Sequence, residues 1–257
     1  MKEQFLKFKS LHEGNEPLMI ANVWNVQSAR VFEKLNFKAL ATSSAAVAET
    51  LGYSDGEQMS FDEYFFMIKH IVRSIKLPVS VDLEAGYGDT AEEVVENIQH
   101  LVAIGVTGIN IEDSVVKDGK RSLLDARVFA DHLRKICEGL KLHAIDVFIN
   151  VRTDVFLLGV SSPVEEAKKR ASLYTATGVH GLFFPCITAI DDIHSVVKST
   201  NLPVNVMCMP QLPGFDQLKQ AGVKRISMGN FVNRHTYNEL EKTGRKILEQ
   251  GSFSYLF

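Results

Sequence analysis

The sequence predicts an α/β fold, a closed (β/α)8 barrel forming a single domain over 1–257. Three observations predict it. Short apolar runs alternate with longer amphipathic ones from end to end, the pattern of a parallel sheet with right-handed crossovers. Eight such units can be read in 257 residues, and α/β barrels of about 250 residues form as one domain. After the first strand stands Asn22-Val23-Trp24-Asn25 and not Gly-x-Gly-x-x-Gly, which argues against an open doubly wound sheet.

Strands are predicted at 18–21, 39–42, 79–83, 108–112, 147–151, 181–184, 204–206 and 225–227. Helices are predicted at 26–35, 61–75, 91–104, 125–138, 163–177, 189–198 and 215–221, with a last one from about 233 to 249. The helix-to-strand turns repeat one form, as in Leu77-Pro78-Val79, Leu202-Pro203-Val204 and Ala221-Gly222-Val223. Glycine after a helix supplies the left-handed cap, and proline opens an extended segment. These turns belong to the N-terminal face of a barrel, where residues serve stability; His180, just before a strand, is read as structural there. Function belongs at the strand C-termini.

Composition narrows the function. The chain is 46% hydrophobic with net charge -3, and it has no lysine/arginine run, so a nucleic-acid partner is not expected. No apolar run approaches the ~18 residues that span a bilayer, and the charged N-terminus lacks a signal-peptide core, so no membrane association is expected. Three scattered cysteines, Cys137, Cys186 and Cys208, fit a reducing cytoplasm. The histidines show no metal-ligand spacing, so zinc is not expected.

The strand ends carry the chemistry. Asp82 and Glu84 are two apart, so on an extended strand both side chains leave the same face. Glu112 and Asp113 end the next strand. Hard cations such as Mg²⁺ bind carboxylate oxygens and keep waters, so these acids read as a metal rim. Trp24, the single tryptophan, reads as core or, from its place after a strand, as a pocket wall. Ser43-Ser44 reads equally as an N-cap of a helix at 45–51 and as a ligand contact. Arg152 ends a strand as a paired donor for carboxylate or phosphate, with Asp154 as a near neighbour. The seventh strand gives Asn205.

These residues resemble the isocitrate lyase / phosphoenolpyruvate mutase superfamily over nearly the whole chain. The resemblance is carried by 24–30 (Trp24 to Arg30), 42–46 (Thr42-Ser43-Ser44-Ala45-Ala46), 51–55 (Leu51-Gly52-Tyr53-Ser54-Asp55), 81–88 (Val81-Asp82-Leu83-Glu84-Ala85-Gly86-Tyr87-Gly88), 111–114 (Ile111-Glu112-Asp113-Ser114) and 151–154 (Val151-Arg152-Thr153-Asp154). It implies Mg²⁺ or Mn²⁺ held by Asp82, Glu84 and Glu112, partly through water, with Asp55 beside the metal shell. It implies that Ser43, the backbone beside it, Arg152 and Asn205 hold a carboxylate or phosphonate. It also implies a homo-oligomer, dimer or tetramer, often exchanging its last helix, here the segment 230–257.

Two departures matter. Glu84 stands where many members have aspartate. The loop after Glu112, 113–122, has neither the Lys-Lys/Arg-Cys-Gly-His of the carbon–carbon lyases nor the Lys-Thr-Asn-Ser of the phosphonomutases. Lys117, Lys120 and Arg121 remain as cationic contacts of a long βα loop, which reads as a mobile gate over the substrate. The expectation is a Mg²⁺-dependent lyase or mutase-like enzyme acting on a small 2-oxo carboxylate (oxaloacetate-like, 2-methylisocitrate-like or phosphonopyruvate-like) through a metal-stabilised enolate. The alternatives are a phosphoenolpyruvate or carboxyphosphonoenolpyruvate phosphonomutase and, in another class, a catalytically silent metabolite-binding barrel.

Overall fold

The computed structural model describes residues 2–257. Helix α1 (Lys2–Ser10) precedes β1 (Leu18–Val23), α2 (Val26–Lys34), β2 (Leu40–Thr42), α3 (Ser44–Leu51), α4 (Phe61–Arg73), β3 (Val79–Asp82), α5 (Ala91–Ala103) and β4 (Gly108–Glu112). Two short strands follow, β5 (Ser114–Lys117) and β6 (Lys120–Leu123), before α6 (Ala126–Leu142) and β7 (Phe148–Arg152). The chain continues through α7 (Pro163–Thr175), β8 (Gly181–Phe184), α8 (Ile190–Lys198), β9 (Val204–Met207), α9 (Phe215–Gln220), β10 (Arg225–Ser227) and α10 (Phe231–Gln250). Eight parallel strands close in the order β1-β10-β9-β8-β7-β4-β3-β2, and β5 and β6 form a separate antiparallel pair. This is the (β/α)8 barrel that the alternation predicts.

The helices bury apolar faces against the outside of the sheet, as Val94, Ile98 and Leu101 of α5 and Phe129, Leu133 and Ile136 of α6 do. Inside the barrel a smaller apolar cluster of Phe5, Phe8, Leu18, Ile20, Ala39, Ala41 and Phe148 closes the N-terminal end. Helix α1 supplies that plug. Sequence reading saw only a charged N-terminus there, although Phe5 and Phe8 share one helical face. Phe8 fits because β4 opens with Gly108: a Cβ there would lie 2.6 Å from the Phe8 ring. His180 sits on the same face, accepting from the Ile149 amide at 3.2 Å. Among the described residues no helix is long and apolar enough to cross a membrane.

The segment expected to be a mobile gate is a built hairpin. Ser114 pairs with Leu123, Val116 with Arg121 and Lys117 with Lys120. Asp118 and Gly119 form its turn with φ of 51° and 71°, the conformation that an Asp-Gly pair favours in a two-residue β-hairpin. That dipeptide was the available signal, and the register puts Arg121 beside the barrel mouth while Lys117 and Lys120 stay exposed at the tip.

Candidate active site

At the C-terminal mouth of the barrel lies a cavity of about 190 Å³, lined among others by Ser43, Ser44, Asp55, Asp82, Asn110 and Arg152. Each strand delivers a side chain there for a local reason. β3 ends at Asp82, whose amide donates to Thr42 Oγ1 at 2.9 Å and whose carbonyl accepts from Tyr64 Oη at 2.7 Å. The Asp82 carboxylate accepts from Ser44 Oγ at 2.9 Å. Ser43 caps α3, its Oγ accepting weakly from the Ala46 amide at 3.4 Å, which is the N-cap reading of Ser43-Ser44. The first turn of α3 lines the cavity, and amides at a helix N-terminus favour an anion.

Arg152 ends β7 opposite Glu112 of β4. Its Nε and Nη2 donate to the two carboxylate oxygens of Asp154 at 2.7 and 3.1 Å, and its Nη1 is 3.0 Å from Glu112 Oε2. Arg121 comes down from the hairpin. Its Nη1 contacts Glu112 Oε1, donates to Ser114 Oγ at 2.8 Å and lies 3.3 Å from Asp154 Oδ2, while Nη2 reaches Asp55 Oδ2 at 2.9 Å. Of the three hairpin cations named from sequence, Arg121 is the one brought into the site.

Burial sets the electrostatics. Glu112 is pushed up to about 8, chiefly by desolvation, with Arg152 pulling the other way. Asp82 is also raised by burial, again opposed by Arg152. Arg152 is held well above its ordinary value: burial opposes its charge, but Glu112 and Asp154 outweigh that cost.

Three expectations need correction. Glu84 does not share a face with Asp82, because the strand stops at Asp82 and Glu84 takes a left-handed φ of 51°. Its Oε2 accepts from the Gly56 and Glu57 amides at 2.8 and 2.9 Å, and its Oε1 from Tyr87 Oη at 2.8 Å. Glu84 thus anchors the turn that carries Asp55. Trp24, 6% exposed, packs in the hydrophobic core and not on the cavity wall. Asn205 is also beneath the cavity: its amide donates to the Val206 carbonyl at 2.6 Å and accepts from Asn150 Nδ2 at 3.2 Å. Asn150 in turn donates to Asn110 at 2.9 Å. Asn150 and Asn205 thus lie under the cavity, linked to it through Asn110, which lines it.

Sequence reading missed the support behind Asp154. Asp113 is turned away from the cavity, accepting from the Asp154 amide at 3.1 Å, Thr153 Oγ1 at 2.6 Å, Tyr174 Oη at 2.8 Å and Arg170 Nη1 at 2.8 Å. Arg170 and Tyr174 lie on α7, too far along the chain for spacing to reveal the contact.

Among the described residues no three His, Cys, Asp or Glu side chains form a ready-made metal centre. The donor chemistry nevertheless suits a hydrated hard cation. Asp55, Glu112 and Asp154 gather around two guanidiniums, Asp82 lines the same cavity with Ser44 donating to it, and Glu112 Oε2 is buried without an aligned hydrogen bond. Mg²⁺ is commonly held by one or two carboxylates and water, which Asp82 and Glu112 can supply.

A family model described as phosphoenolpyruvate phosphomutase matches residues 8–248. The chain belongs to that family. It is therefore an enzyme of the superfamily of lyases and phosphonomutases. A 2-methylisocitrate lyase of Aeropyrum pernix is 26% identical over 253 residues, 96% of this chain and 80% of that protein. An oxaloacetate decarboxylase of a Bradyrhizobium strain is 30% identical over 201 residues, 76% of this chain and 68% of that protein. Among solved structures, a candidate phosphonomutase of Burkholderia cenocepacia superposes with a TM-score of 0.88 at 35% identity, covering 95% of this chain and 99% of that one. The family agrees with a barrel whose polar residues gather at the strand C-termini.

Proposed function

We propose that this enzyme cleaves or rearranges a small 2-oxo carboxylate at the mouth of the barrel, assisted by a divalent ion. The observation that carries this reading is the facing pair Glu112 and Arg152 on adjacent strands, with Arg152, Asp82 and Ser44 lining one cavity and Ser44 donating to Asp82. A substrate carboxylate would meet the Arg152 guanidinium and the first-turn amides of α3. Asp82 and Glu112 would hold Mg²⁺ or Mn²⁺, which when bound supplies a Lewis acid for the 2-oxo oxygen as negative charge develops there.

The remaining work belongs to the chain. Asp154 fixes the Arg152 fork, so orientation is set before the substrate arrives. Glu84 holds the Asp55 turn, and the hairpin covers the same edge, limiting water at the reacting carbon. The lyase motif with its cysteine is absent from 113–122, so any protonation of product relies on another group or on water. The decarboxylase and lyase names among the relatives support a 2-oxo acid or a carboligated derivative as substrate. α10 exposes Tyr237, Leu240 and Leu248, which supports association with a second copy through this helix.

The test is turnover across oxaloacetate, 2-methylisocitrate, substituted malates and phosphonopyruvate with Mg²⁺. Product from one of them supports the proposal. Metal-dependent binding without product across the panel would support a silent metabolite-binding barrel instead.

A further inference from the structure

Arg121 has a placement that the family resemblance does not supply. It stands in a loop that departs from both family motifs, yet it is 14% exposed and touches three acids at once. The hairpin fixes this position. Its turn is set by Asp118 and Gly119, its register by four cross-strand pairs, and its flank by Val116, which packs on Gly56. Gly56 adjoins Asp55, the acid that Arg121 Nη2 holds at 2.9 Å. The hairpin and the Asp55 turn therefore form one body, with the guanidinium aimed at Glu112.

The consequence follows from charge and space. Glu112 is buried, and a buried carboxylate needs a paired cation. Arg121 provides one through Oε1. Oε2, the oxygen without an aligned hydrogen bond, is the natural donor to a divalent ion, and an ion there would face the Arg121 guanidinium across the same carboxylate. A guanidinium cannot shed its charge to make room.

The geometry points to Arg121 as a tethered counter-cation, held by Asp55, that competes with the divalent ion for Glu112. In metal-free protein it neutralises the acids. When the ion binds, the guanidinium gives up Glu112. Metal affinity is thereby set by the hairpin as well as by the carboxylates. This inference rests on the divalent-ion reading above.

The experiment is Mn²⁺ binding to metal-free protein at low ionic strength, followed by paramagnetic resonance of free Mn²⁺, for wild type, Arg121→Gln and Arg121→Lys. Thermal unfolding is measured in parallel with and without Mn²⁺. Arg121→Gln should bind Mn²⁺ at least tenfold more tightly than wild type and show a lower metal-free Tm with a larger rise on Mn²⁺ addition. Arg121→Lys keeps the charge but loses the fork between Glu112 and Asp55, so it should fall between the two. Equal or weaker binding by Arg121→Gln, with wild type binding normally, overturns the competition and leaves the divalent-ion reading standing. Absence of binding in every protein overturns both. Should Arg121→Gln fail to fold, Arg121→Lys decides: affinity equal to wild type overturns the competition.

Discussion

Arg152 and Asp154, two residues apart at the end of β7, face each other as a two-pronged ion pair, Nε to Oδ1 at 2.7 Å and Nη2 to Oδ2 at 3.1 Å. The third guanidinium nitrogen, Nη1, is directed at Glu112. Asp154 thus acts as a clamp that leaves one edge of the arginine for the site.

Lysine offers a point charge and cannot reproduce this fork. Arg152→Lys should keep the fold and lose roughly 10- to 100-fold in kcat/KM, the equivalent of one or two charge-assisted hydrogen bonds. Circular dichroism and steady-state kinetics on the active substrate check it. Unchanged kcat/KM would reduce Arg152 to a partner of Asp154.

The clamp depends on a buried pair behind it. Asp113 is fully buried and Arg170 is 5% exposed. Removing one member leaves an uncompensated buried charge, so Arg170→Leu should cost about 3 kcal/mol or more. Denaturant unfolding measures this. A loss within 0.5 kcal/mol would mean that Thr153, Tyr174 and the Asp154 amide satisfy Asp113 unaided.

The contrast between Arg152 and Arg170 shows what the sequence could disclose. Every barrel strand was legible because β-branched and apolar runs recur between helices and end in polar residues. Asp82, Glu112 and Arg152 were legible because barrel topology alone places strand ends together. Glu84 was misread because alternation holds only while the backbone is extended, and the strand stops two residues earlier. Asn205 was misread because a strand-end polar residue can be spent inside the barrel. Arg121 was named with the loop cations, and its placement was not legible because it depends on hairpin register and not on its neighbours in sequence.

The packing of the Asp55 turn on the hairpin gives a further prediction. A Cβ on Gly56 would lie 2.6 Å from Val116 Cγ2, at a φ of 101°. Gly56→Ala should destabilise by about 1–3 kcal/mol through strain and overpacking. Val116→Ala in the same chain should recover the overpacking part, leaving the backbone strain. A double-mutant cycle of unfolding free energies checks it. Additive losses would mean that the turn and the hairpin do not press on each other.

A pH prediction concerns the barrel floor. His12 is lowered to about 3, first by burial and then by Arg225, and His180, lowered to about 4, lies half-buried nearby. Also on His12 are the Phe8 carbonyl, 3.0 Å from Nδ1, the Lys9 carbonyl, which accepts from the His12 amide at 3.0 Å, and the rings of Phe8 and Phe148. A folded pKa below the unfolded value means that the unfolded chain binds protons first. Stability is therefore present above about 6.5 and is lost as pH falls from there toward 3. His12→Gln should flatten this acid slope by up to about 1.4 kcal/mol per pH unit. Urea unfolding at a series of pH values measures it, and an unchanged slope would contradict the assignment.

The most direct measurement of the proposed chemistry is turnover of the best 2-oxo acid by chelated protein, by the same protein after Mg²⁺ is restored, and by Glu112→Gln at saturating Mg²⁺. The account predicts no turnover after chelation, recovery on adding Mg²⁺, and loss of most activity in Glu112→Gln with the fold retained. Full activity in chelated wild type would contradict it.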